Sequence, residues 1–418
     1  MVRHAALRWV CCSVLLPVVA CSADRSASTS EGSGADSGDE PDASTDTSTD
    51  AIDDVGSPEA DAAADPDVGA PWRDMRESGP LAVGARTIRV EREGSGEAVL
   101  LPVEIWYPTA EPGEPSPPDA FFAEPEQRAA FVALLEQAPA RCTNQSTGAV
   151  RDAAGDGGAH PVVAFSHCHG CTRFSSWTIA ERLASHGFIV VAPDHVGDTL
   201  LEAQQGVSAP LNGAFLEVRA TDIATALDAV LGADPSLLDA GIVADPTRVG
   251  VMGHSYGAAT AGLVAQRDAR VQAALALAAP MESPLLPGPT MADIKVPTGF
   301  FLAVEDNSIT TLGNQFIRNN AAAATSRTWL WEVADAGHWS VSDLCGIVDD
   351  FAAGCGEGRR QVGRQPFTYL DNDSARSLAA SFVLAFFEWS LRADRGAAGF
   401  MTRPPEAYRV ETLELRQD

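Results

Sequence analysis

The sequence predicts an α/β fold, a mostly parallel central sheet with helices on both faces and an antiparallel N-terminal start. Three observations carry this. Short apolar runs recur at 161–166, 188–192, 249–252, 273–278, 299–304 and 328–333, and strands that read as continuous apolar runs are those buried on both faces. Helical stretches fall between them, at about 124–137, 175–186, 216–231 and from Ala258 onward, and strands alternating with helices at this spacing make a parallel sheet. Residues 81–107 alternate instead, as two strands of an antiparallel start ended by Pro108.

Taken in order, residues 108–118 are a Pro-rich loop, followed by a helix with Phe131, Leu134 and Leu135 on one face. A Gly/Asp-rich loop leads to Pro161-Val-Val-Ala-Phe-Ser166, which runs into His167-Cys-His-Gly-Cys-Thr-Arg173. The next helix stops at Gly187 and the next strand at Pro193; a loop with Asp194, His195 and Asp198 continues to Gly213. The long helix 374–392 closes the fold, with Asp373 as its expected N-cap. The insertions 108–158 and 194–214 are expected to roof a pocket.

At 418 residues, 45% hydrophobic and 21% charged, the chain has ample material for a core. Much of its net charge of −28 comes from residues 22–71, rich in Asp, Glu, Ser, Thr, Gly and Ala. Such a segment cannot bury enough apolar surface to offset its ordering entropy and reads as a disordered acidic linker, with a random-coil reach of ~40 Å. The acidic balance argues against nucleic acid as a partner.

Residues 1–21 read as an export signal: Arg3, His4 and Arg8, then an apolar run too short to span a bilayer. Val18-Val19-Ala20-Cys21 looks like a bacterial lipobox, with Cys21 acylated to become the mature N-terminus of a membrane-anchored lipoprotein. Ser22 at the next position favours the outer membrane; plain secretion after cleavage near Ala20 is the alternative. The remaining 72–418 read as one catalytic domain. In an exported chain Cys142, Cys168, Cys171, Cys345 and Cys355 lean towards disulfides, with one left over. Cys345–Cys355, bracketing a short loop, is the first expected pair, and Cys142 with Cys168 or Cys171 the second.

The chemistry centres on Gly253-His-Ser-Tyr-Gly257, a G-x-S-x-G with a strand before it and a helix after it. The glycines keep Cβ atoms out of a very tight turn that lifts the Ser255 hydroxyl above the sheet edge. A serine needs a general base, and the base needs a third group to fix its tautomer. In the order serine, acid, histidine, His338 is the only histidine after Ser255. Glu305 and Asp306 end the strand before it; Asp306 is the expected acid and Glu305 the alternative. The oxyanion donors should be the backbone N–H of Tyr256 and that of His169, with Cys168 second. The His-Cys-His-Gly-Cys cluster lacks a second cluster at metal-finger spacing and does not read as a metal site. His195 and His254 read as core or scaffold histidines.

Residues Val163-Ala-Phe-Ser-His-Cys-His-Gly-Cys-Thr-Arg-Phe, then Ala184-Ser-His-Gly-Phe-Ile-Val-Val-Ala-Pro-Asp-His195, then Gly253-His-Ser-Tyr-Gly257 resemble the platelet-activating-factor acetylhydrolase branch of the α/β-hydrolases. The dienelactone-hydrolase-like proteins and the cutinase-like polyester hydrolases are similar around the site. The resemblance spans about 80–395 and implies a Ser-Asp-His esterase acting on a small-molecule ester or lipid, with no cofactor and no metal. Two departures stand out. The family's His-Gly pair in the oxyanion turn is His167-Cys168 here, and the acid position of the acetylhydrolase is Ala278, so the acid falls at the next strand end, as in the polyester hydrolases. The dienelactone-hydrolase label implies a cysteine nucleophile, and position 255 is serine. A peptidase or amidase with the same triad, or a catalytically silent surface binding protein, are the rival readings.

Overall fold

The computed structural model describes residues 71–93, 98–111, 113–232 and 241–415. The export signal, Cys21 and the linker through residue 70 lie outside the described residues. The chain opens with β1 (Ala82–Arg92) and β2 (Val99–Thr109), then α1 (Pro125–Gln137) and a two-residue β3 (Val150–Arg151). The alternating unit follows: β4 (Ala159–Ser166), α2 (Trp177–Ser185), β5 (Ile189–Pro193), α3 (Leu200–Gln204), α4 (Gly213–Leu231), β6 (Val243–His254), α5 (Tyr256–Arg267) and β7 (Val271–Leu277). Then come β8 (Thr298–Ala303), α6 (Thr310–Ala323), β9 (Thr328–Val333), the small hairpin β10 (Glu357–Arg359) and β11 (Pro366–Thr368), α7 (Asn372–Arg392), α8 (Arg395–Thr402) and β12 (Val410–Leu415).

Among the described residues one ten-stranded sheet runs β12-β9-β8-β7-β6-β4-β5-β2-β1-β3. The six strands from β9 to β5 are mutually parallel, whereas β2 joins β5, β1 joins β2 and β12 joins β9 antiparallel. The expected architecture holds, with an additional antiparallel strand at the far edge. Period-two alternation explains the apolar runs: Val163 and Phe165 enter one core with residues of α2 and α7, while Val162 and Ala164 enter the opposite core with α4 and α5. Neither side of β4 faces water, so no polar alternation survives in its sequence.

Local signals set the helix starts. Asn212 accepts the Phe215 N–H at 2.9 Å to cap α4, and Thr199 with Glu202 forms a capping box on α3. The cap of α7 is Asp371, which accepts the Ser374 N–H at 3.1 Å, and not Asp373, which lies inside the first turn. Aspartates two residues apart are equally good caps by composition; where the chain turns decides between them.

The disulfides differ from the expected pairs. Cys142 joins Cys355 with Cα atoms 5.5 Å apart, and Cys168 joins Cys171 at 5.2 Å. Cys345 is unpaired and fully buried, and burial pushes its thiol up to about 12. Cys345 and Cys355 are close in sequence, but Cys355 pairs across the fold with Cys142 and Cys345 stays a buried thiol.

Candidate active site

The carboxyl ends of β6, β8 and β9 meet at one edge of the sheet and deliver three side chains there. Ser255 bridges β6 and α5 with φ 57° and ψ −121°. Such a backbone costs a non-glycine residue on the order of 1–3 kcal/mol, so its surroundings must impose it. A Cβ on Gly253 would overlap the carbonyl of Gly257, and a Cβ on Gly257 would overlap the carbonyl of Ser166 at the end of β4. The two glycines therefore allow the bend to close on itself and to press against the neighbouring strand.

The Ser255 Oγ–H donates to His338 Nε2 at 2.8 Å, and His338 Nδ1–H donates to Asp306 Oδ2 at 2.7 Å. Asp306 is fully buried, and its other oxygen accepts the N–H groups of Ser308 at 2.9 Å and Ile309 at 3.0 Å. Glu305, the alternative acid, turns away: it accepts Arg360 Nη1–H at 3.0 Å and the Gln361 N–H at 2.7 Å. Alternate side chains at the end of β8 thus face opposite ways. Ala278, at the end of β7, carries no carboxylate.

The loop holding His338 is anchored from two sides. His254 Nε2–H donates to the His338 carbonyl at 2.9 Å. Since a carbonyl only accepts, the proton of His254 sits on Nε2, and burial drives its pKa well below the usual histidine value, so the ring is neutral. On the other side the Trp339 N–H donates to Ala353 O at 2.9 Å and Ser340 Oγ–H to Gly354 O at 3.1 Å, beside the Cys142–Cys355 bridge. His254, the x of G-x-S beside the nucleophile, is thus a scaffold histidine whose partner is the His338 loop.

Of the two expected oxyanion donors, one lies at the start of α5 and the other in the turn after β4. Tyr256 is the first residue of α5, and a helix start leaves its N–H groups without intrahelical carbonyls. His169 lies in the turn after β4, against which Gly257 packs. Cys168 and Cys171 are joined to each other, so the cluster offers no thiolates to a metal.

A cavity of about 340 Å³ opens beside Ser255, walled by Leu211, Leu285, Leu286, Ile309, Leu312 and Phe316, with no charged side chain in its lining. Its walls correct one expectation. Of the insertions 108–158 and 194–214, only Leu211 contributes; the rest comes from the Ser255 bend and α5, the connections after β7 and β8, and α6. The 108–158 segment packs instead at the other end of the site, through Cys142 and through Phe122 and Phe131 against Phe174.

A parallel sheet of this order with a strained serine at a strand-to-helix bend defines an α/β-hydrolase. The comparisons agree. A family model described as chlorophyllase matches residues 147–282, and one described as platelet-activating factor acetylhydrolase, isoform II, matches residues 75–203. Among solved structures, a ferulic acid esterase from Streptomyces cinnamoneus superposes with a TM-score of 0.61 at 23% identity, covering 84% of this chain and 99% of that one. Among curated proteins none matches the chain. Each family model matches part of the chain, and the superposition shows that it shares the α/β-hydrolase fold.

Proposed function

We propose that the protein hydrolyses carboxylic esters through a Ser255–His338–Asp306 triad. The observation that carries this is the unbroken hydrogen-bonded chain from Ser255 Oγ through His338 to Asp306. Ser255 Oγ attacks the ester carbonyl carbon while His338 Nε2 takes its proton, and the oxyanion develops towards the N–H groups of Tyr256 and His169. Collapse expels the alcohol, which receives the proton from His338, and leaves an acyl-enzyme. Water, deprotonated by His338, then releases the acid. Asp306 holds the Nδ1–H tautomer and stabilises the imidazolium.

An apolar cavity of about 340 Å³ without charged groups suits a neutral acyl group, and this volume is at the small end for ligand pockets. Short acyl chains or a single aromatic ring are therefore the proposed substrates. The ester reading is separated from a peptidase by parallel turnover of nitrophenyl esters and nitroanilides, and from a silent binding protein by fluorophosphonate labelling of Ser255. Ser255→Ala should lower kcat on nitrophenyl butyrate by ~10⁶. Near-full activity in that variant would remove the mechanism. From the sequence alone we further propose export and lipid anchoring at Cys21; loss of radiolabelled fatty acid in Cys21→Ala is the corresponding measurement.

A further inference from the structure

Behind the turn that carries His169 lies a second Ser-His-Asp relay. Ser166 Oγ is 2.9 Å from His195 Nε2, and His195 Nδ1 is 2.9 Å from Asp222 Oδ2. All three residues are fully buried, so no substrate reaches Ser166 and the relay is not another active site. Its proton directions follow from its ends. Arg219 Nη2–H donates to Ser166 Oγ at 3.2 Å, which leaves the Ser166 hydroxyl proton for His195 Nε2 and the His195 Nδ1–H for Asp222, whose other oxygen accepts Arg92 Nη1–H at 2.5 Å.

The relay continues into the turn. The His195 backbone N–H donates to His167 Nε2 at 3.0 Å. That nitrogen is then an acceptor, so His167 carries its proton on Nδ1 and donates it to Cys168 O at 2.7 Å. Burial keeps both rings neutral, His167 being pushed down to about 4 and His195 well below the usual value. The buried Arg219 donates to Ser166 Oγ at 3.2 Å, to the His167 carbonyl, and to Asp198 Oδ2 at 2.6 Å. Asp198 in turn accepts the Gly170 N–H at 2.8 Å and lies 2.6 Å from His169 Nδ1.

One peptide plane makes this arrangement consequential. The carbonyl of Cys168 and the N–H of His169 belong to the same trans peptide and point in opposite directions. Cys168 O is held by the buried His167 ring and by the Cys171 N–H at 3.3 Å. The His169 N–H therefore points away from the buried ring. The geometry points to Ser166, His195 and Asp222, with Arg219 and Asp198, as positioning residues that fix the 168–169 peptide so that His169 N–H is an oxyanion donor before substrate arrives. This inference rests on the esterase reading above. A preorganised donor contributes to the transition state and little to ground-state binding.

The test is Ser166→Ala, which removes one oxygen, together with His195→Gln. Each is assayed for kcat and KM on nitrophenyl butyrate, for thermal midpoint, and for inhibition by an alkyl trifluoromethyl ketone. The ketone accepts Ser255 Oγ at its carbonyl carbon and leaves a hemiketal oxyanion. A tenfold fall in kcat, a similar loss of ketone affinity, KM close to the parent's, and a thermal midpoint lowered by only a few degrees, as the loss of one buried hydroxyl costs, are expected. A folded Ser166→Ala with parental kcat and ketone affinity overturns the inference. So does a variant that loses thermal stability or KM while ketone affinity stays parental. If His195→Gln does not fold, Ser166→Ala decides alone. Ser255→Ala runs alongside: parental turnover there overturns the esterase reading itself, whereas an inactive Ser255→Ala beside a fully active Ser166→Ala overturns only the positioning role.

Discussion

Removing the Cys142–Cys355 bridge by Cys142→Ser with Cys355→Ser should destabilise the domain and inactivate it below the temperature at which it unfolds. The bridge closes a loop with a sequence separation of 213. Loop-closure entropy for that length is ~18 cal/mol/K, or ~5 kcal/mol at 25 °C. With an unfolding entropy of ~2.1 cal/mol/K per residue over roughly 330 described residues, the expected fall in melting temperature is ~7 °C. The local consequence is separate. Ala353 and Gly354, next to Cys355, hold the Trp339 N–H and the Ser340 hydroxyl, and Gly337 is packed against Ala353 O. Freed from Cys142, this segment should release the His338 loop first. Urea unfolding followed by tryptophan fluorescence, beside ester turnover across the same urea series, reads both effects. Coincident parental midpoints for fluorescence and activity in the double variant would refute the reasoning.

Asp306→Asn should lower kcat by ~10⁴, because the amide favours the wrong His338 tautomer, whereas Glu305→Gln should stay within threefold of the parent in the same ester assay. His254→Ala leaves the His338 carbonyl without its donor, at a stability cost of ~1–3 kcal/mol by urea melts, and should also lower kcat; His254→Gln, which keeps an N–H, should recover part of both. Leu286→Trp fills part of the cavity beside Ser255, so the preferred nitrophenyl ester should shift to shorter acyl chains while acetate turnover persists.

Much of this site was legible because its chemistry is local or ordered along the chain. The glycines around Ser255 announce a bend, only one histidine follows it, and Asp306 ends the strand expected to supply an acid. The doubly buried strands were readable for the same reason, since β4 and β5 have apolar residues towards both cores. What escaped was set by tertiary proximity. Cys355 finds Cys142 rather than Cys345 because folding brings α1's end to the His338 loop. Helix α6 was missed because its sequence, Thr310–Ala323, is largely polar and buries few side chains. Arg219 and Asp222 of α4 are charged yet fully buried, since their partners Asp198, His195 and Arg92 come from the loop after β5 and from β1, a proximity no local pattern announces.

Ile309 serves both the cavity and the proton-transfer chain, lining the one while its N–H holds Asp306, but four other walls hang from backbone which that chain does not use. Leu285 and Leu286 sit on the connection after β7 and Leu312 and Phe316 on α6, while Ser255 and Asp306 are pinned by packed glycines and backbone N–H groups. Substrate preference can therefore drift, by natural variation or in a library confined to those four positions, while the reactive centre keeps its alignment.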